Sequence, residues 1–153
     1  MAIVKSRWAK DERTWTRPQT AGNTHVTQFT YDVGAEGALA AGDILELGVI
    51  PPYARITHAT LATEGTFTGL TADIGVMTGE KGANFMPDGS TARTSGNEFF
   101  AAVDLTAALS SLAKKEPLLL TAVEYERSIG VKVSAAVPAA AGKRIHLWLF
   151  YHQ

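Results

Sequence analysis

The chain contains no cysteine, which removes disulfide staples, thiolate nucleophiles and sulfur-built zinc sites. Charge is sparse as well: Asp, Glu, Lys and Arg make up 19% of 153 residues and nearly cancel, at a formal net charge of −1. So even a balance gives no global attraction for nucleic acid or for an anionic membrane surface. The opening stretch MAIVKSRWAKDERTW carries charges where a signal peptide needs an apolar core, and no window approaches the roughly 18 apolar residues of a membrane span. No Asn-X-Ser/Thr sequon occurs.

Motifs of catalysis are equally scarce. Four histidines stand at 25, 58, 146 and 152. His146 and His152 share one strand face but lie about 20 Å apart at roughly 3.3 Å per residue, too far to hold one metal within a chain. Glu124 and Glu126 sit on one strand face close to Arg127 and Lys132, which reads as a charged solvent face rather than a catalytic carboxylate pair. The glycines of ADIGVMTGEKG lack a Gly-Lys-Ser/Thr phosphate loop, and the serines near Ser90 and Ser95 lie in no Gly-X-Ser-X-Gly elbow. The expectation is a protein that is not an enzyme and uses no metal or cofactor.

What the chain does have is 46% hydrophobic residues in a length suited to one domain, enough to bury roughly two-thirds of its unfolded surface. Two compositions share that length. Residues 1–24 hold five of the 14 basic residues and two of the 15 acidic ones, a net +3, with Trp8 and Trp15 among them. Neither strand nor helix periodicity is sustained there, so 1–24 reads as an extended basic arm and 25–153 as the folded body. Tryptophans flanked by cations suit a tail that docks on another protein, with Trp8 and Trp15 as anchors and Arg7, Arg13 and Arg17 as rim contacts. Stacking on single-stranded nucleic acid is the weaker reading, because the body carries net −4.

The body is a series of short alternating segments. HVTQFTYDV opposes Thr27, Phe29, Tyr31 and Val33 to Val26, Gln28, Thr30 and Asp32. GDILELGVI sets Leu45, Leu47 and Val49 against Ile44, Glu46 and Gly48, the period of a half-buried strand. Pro51 and Pro52 then end it, since neither can donate to a ladder. ARITHATLAT, TADIGVMT, NEFFAAVDL, PLLLTAVEY, SIGVKVSAAV and KRIHLWLFYHQ follow as further strands. GEKGANFMPDGSTARTSG is a long polar loop with a tight turn at Asp88-Gly89. Leu105, Ala108, Leu109 and Leu112 follow helical spacing behind Asp104, and Pro117 blocks continuation. About eight strands and one short helix predict an all-β, antiparallel, jelly-roll-like sandwich.

GDILELGVIPPYARITHATL, LTADIGVMTGEKG, the Asp-Gly loop and FFAAVDL together resemble the head decoration, or capsid cement, proteins of tailed bacteriophages. The likeness spans about residues 42–105. It implies a β-sandwich on the outer surface of an icosahedral capsid, made in the host cytoplasm, commonly homotrimeric, and stabilising the shell by bridging subunits of the major capsid protein. Pro51, Pro52 and Tyr53 then become a second contact element: the prolines preset the loop without an ordering cost, and Tyr53 is stiff and amphipathic. A carbohydrate- or receptor-binding sandwich on a phage surface is the alternative.

Overall fold

The computed structural model describes residues 1–10, 12, 23–106, 109–111 and 116–152. Nine strands form among them: β1 (Ile3–Lys5), β2 (His25–Asp32), β3 (Ile44–Ile50), β4 (Arg55–Glu64), β5 (Thr71–Val76), β6 (Phe100–Asp104), β7 (Leu109–Ser111), β8 (Arg127–Val133) and β9 (Arg144–His152). They make two sheets, ordered β1-β3-β8-β5-β6 and β2-β9-β4-β7. All pairings are antiparallel except β1 with β3. The expected all-β sandwich is the fold. Between the sheets lies one apolar core, with Phe29 and Tyr31 from β2, Leu45 and Leu47 from β3, and Leu147 and Leu149 from β9 fully buried.

Six expectations need correction. Strand β3 is buried on both faces rather than one, because residues 78–95 fold over its outward side. Its alternation also breaks: a bulge between Glu46 and Gly48 turns Ile50 inward with Leu45 and Leu47, so Val49 does not share their face. One extra residue reverses every side chain beyond it. Gly48 meets the Phe29 ring, where a Cβ would lie 2.5 Å from the nearest ring carbon. A second bulge between Ile56 and His58 puts Ile56 in register with the buried Ala59, Leu61 and Thr63, against the simple alternation read from ARITHATLAT.

The remaining three concern helix and strand type. The segment expected as a helix forms strand β7 at Leu109–Ser111, paired with Thr60–Ala62 of β4; an open sheet edge offers hydrogen bonds that outweigh helical spacing over so few residues. The short α-helix is instead α1 (Val33–Glu36), in the GAEG connection, where the Asp32 carboxylate accepts from the amides of Gly34 (3.0 Å) and Ala35 (3.2 Å). PLLLTAVEY, read as a strand, begins as a 3-10 turn, η1 (Glu116–Leu119), and stays irregular to Ser128's strand; Pro117 favours the first turn of a helix over a ladder.

Residues 1–10 are integrated with the sandwich. Ile3, Val4 and Lys5 lie in register with Ile44, Leu45 and Glu46, and the Ala2 amide donates to Asp43 at 2.8 Å. Ser6 is fully buried, donating through Oγ to the Leu47 carbonyl at 2.7 Å.

Candidate functional site

The corner between β3 and β4 is closed by the Ala54 amide donating to the Pro51 carbonyl at 3.3 Å. Tyr53 has φ of 60° there, a left-handed conformation that a turn usually assigns to glycine. Pro51 is buried, whereas Tyr53 is 59% exposed. Its amide donates to the Val123 carbonyl at 2.7 Å, tying the corner to the irregular segment after η1. Leu118 and Leu119 of η1 and Tyr125 of the segment after it are all exposed, Leu119 to 72%. A strained, exposed aromatic and uncovered leucines are expensive features for an isolated molecule and suitable ones for a contact surface.

Beside Tyr125 lies a hollow of about 520 Å³, lined by Gly79, Glu80, Lys81, Met86, Pro87 and Glu126 as well. Its far wall is the 78–95 segment, which is ordered rather than a slack loop. Thr78 and Thr94 are joined by the Thr78 amide donating to the Thr94 carbonyl at 2.9 Å, and Met86 donates to the Thr91 carbonyl at 2.8 Å. At its tip the Asp88 carboxylate accepts from Ser90 and Thr91 amides (2.9 and 2.8 Å) and from the Thr91 hydroxyl. The Thr91 hydroxyl first, then those amides, hold the Asp88 pKa down to about 2. The tight turn expected at Asp88-Gly89 is there, with Gly89 at φ 71°.

What seats the segment is a buried ion pair. Arg93 and Glu46 are both fully buried, with Nη1 donating to Oε1 at 3.0 Å. Arg93 Nε also donates to the Thr78 carbonyl (2.6 Å) and Nη1 to the Ala83 carbonyl (3.0 Å). Glu46 Oε1 accepts in turn from the Gly82 amide (3.1 Å) and the Ser128 hydroxyl, while Lys5 Nζ donates to the Gly82 carbonyl. Neither residue is singled out by the sequence: an acid at an alternating strand position reads as solvent-facing, and only the folded segment supplies its partner.

The basic stretch divides. Trp8 packs edge-on against Phe29, ring centroids 5.6 Å apart, as part of the core's margin. The Arg7 amide donates to Glu36 at 2.8 Å. Arg13, Trp15 and Arg17 lie outside the described residues. The histidines are spread over the second sheet: His25 against Tyr151, His58 against Phe150, and His146 against Trp148. Glu126 pairs with Lys81 at 3.3 Å. Among the described residues no group of three or more His, Asp or Glu could hold a metal ion.

No family model and no curated protein matches the chain. Solved structures do. A chain of the capsid of Ralstonia phage GP4 is 36% identical, with a TM-score of 0.82, covering 99% of this chain and 98% of its own length. Chains from the Cyanophage Pam1 capsid asymmetric unit (17% identity, TM-score 0.52, 94% and 96% coverage) and from the acid-stable capsid of Helicobacter pylori bacteriophage KHP30 (12%, 0.50, 88% and 90%) share the fold. With better than one residue in three identical along nearly the whole of both chains, and a TM-score of 0.82, the chain belongs to a phage capsid-associated protein family.

Proposed function

We propose that the protein is a structural component of a phage virion that sits on the outer surface of the capsid and stabilises it by bridging major capsid subunits. Identity of 36% over almost the full length to a chain of a phage capsid carries the reading. Its chemistry is adhesion, not catalysis. The contact elements are two: the end of the sandwich bearing Tyr53, Leu118, Leu119 and Tyr125, with Pro51 and Pro52 presetting the corner, and separately the arm with Arg7, Arg13, Trp15 and Arg17, whose root Trp8 holds to the core. Copies act as homotrimers, so modest contacts per copy are multiplied by high effective concentration on the shell.

Tyr53 gives a clean test. Tyr53→Gly removes the aromatic and relieves left-handed strain of about 1–2 kcal/mol, so the variant should melt no earlier than the parent while binding purified capsid shells at least tenfold more weakly in co-sedimentation. Undiminished binding by Tyr53→Gly and by Leu119→Asp would remove this end of the sandwich from the contact. Failure of the unmodified chain to co-sediment with shells would overturn the capsid-surface reading itself.

A further inference from the structure

The outward face of the second sheet carries an order of side chains that the fold alone does not require. At one end Arg55 lies beside His152; at the other Arg144 lies between Asp32 and Glu64, at 3.0 and 2.9 Å. The middle row sets Trp148 between Gln28 and Thr60. Phe150 and His58 flank it on the Arg55 side, ring centroids 5.4 Å apart, and His146 and Ala62 on the other. Val26 and Leu109, at opposite edges, are 54% and 65% exposed. Along it Val26, Gln28, Arg55 and Glu64 are exposed and His58, Thr60, Trp148 and Phe150 half-buried, while η1 packs against β4.

The pattern is symmetric in position and antisymmetric in charge. Arg55 makes one end cationic, while two carboxylates against one guanidinium leave the other end anionic, with the aromatic rows between. We propose that this face docks on the same face of a second copy of the chain, about a two-fold axis that lies in the interface and crosses the strands over the Trp148 row. Strand β4 then runs antiparallel over its counterpart, each Arg55 faces a Glu64, and Trp148 meets Trp148, as a self-complementary interface demands. The other two-fold, along the strands, lays the cationic end over the cationic end and the anionic over the anionic, so the charges select the first. Four row spacings by three strands give a patch of roughly 27 by 15 Å, on the order of 400 Å² per copy, about half the ~800 Å² that a standard interface buries on each partner. Pairing is therefore weak and concentration-dependent, a strength that matters where many copies are held close together. It deepens the self-association proposed above, joining copies of neighbouring trimers, and rests on that reading only for its setting, because pairing is a property of free copies.

Charge reversal tests it without a shell. Arg55 and Glu64 are both exposed, so Arg55→Glu and Glu64→Lys should keep the parent's melting temperature. In sedimentation equilibrium the unmodified full-length chain should show a weight-average mass that doubles with rising concentration. Each single variant, now like-charged at both ends, should associate at least tenfold more weakly. An equimolar mixture of the two should regain association, because their reversed ends are mutually complementary, and so should the double variant. A mixture no better than its components, or a parent chain that never doubles, overturns the proposal. If the parent does not pair but Arg55→Glu loses shell binding, the face belongs to a capsid subunit; the pairing proposal then fails while the virion reading stands.

Discussion

At the scale of single residues, the two best-defined side chains bear on how the 78–95 segment is held. Arg93 and Glu46 are both removed from water, and a buried charge deprived of its partner is costly. Arg93→Met should destabilise the protein by about 3–5 kcal/mol, read as a fall in the denaturation midpoint. Replacing both, Glu46→Leu with Arg93→Met, should recover much of that, because no charge is left stranded. A double variant as unstable as the single one would mean that the carbonyl contacts of Arg93, not the ion pair, seat the segment. Asp88 acts at the other end of the segment and through pH. Its folded pKa of about 2 lies below the ordinary 3.8, so its contribution is complete above the ordinary value and disappears as pH falls from there toward about 2. The melting-temperature gap between the parent and Asp88→Asn should be constant above about pH 5 and close by about pH 2. A gap that persists at pH 2 would show that the Asp88 charge is not what holds the turn.

Elements show where one-dimensional pattern meets its limit. Alternation located β2, β3, β4 and β9 correctly, since period 2 is a property of the strand itself. It assigned the wrong face to Val49 and Ile50 and to Ile56, since a bulge inserts one residue without altering composition. Leu109–Ser111 carried helical spacing and became strand, having a β4 edge to complete. The arm's root also changed character: three residues pair with β3 and Trp8 caps Phe29, although nothing periodic announces them. Deleting residues 1–10 should therefore lower the melting temperature by several degrees, on the scale at which 1 kcal/mol is worth about 2–4 °C in a domain of this size. Trp15→Ala should not. An unchanged melting temperature on removing residues 1–10 would reduce β1 to a peripheral strand.

For the whole molecule, successive segments cross between the sheets, so neither sheet is built from one stretch of chain. This interleaving gives one core and a rigid body on which exposed groups become positioned surfaces. The sequence by itself determined the class of fold, because turn-punctuated alternation can bury its apolar faces only between sheets, and its likeness to capsid decoration proteins pointed to a structural virion role. It also marked the Pro51-Pro52 corner, because proline acts through its own geometry. Only the tertiary structure decided that Glu46 is buried with Arg93, that Trp8 faces inward, and that Arg55 and Glu64 bracket one aromatic face. Those facts depend on pairings between residues far apart in the chain, and a bulge, an edge or a covering loop sets such pairings without leaving a local periodicity to read.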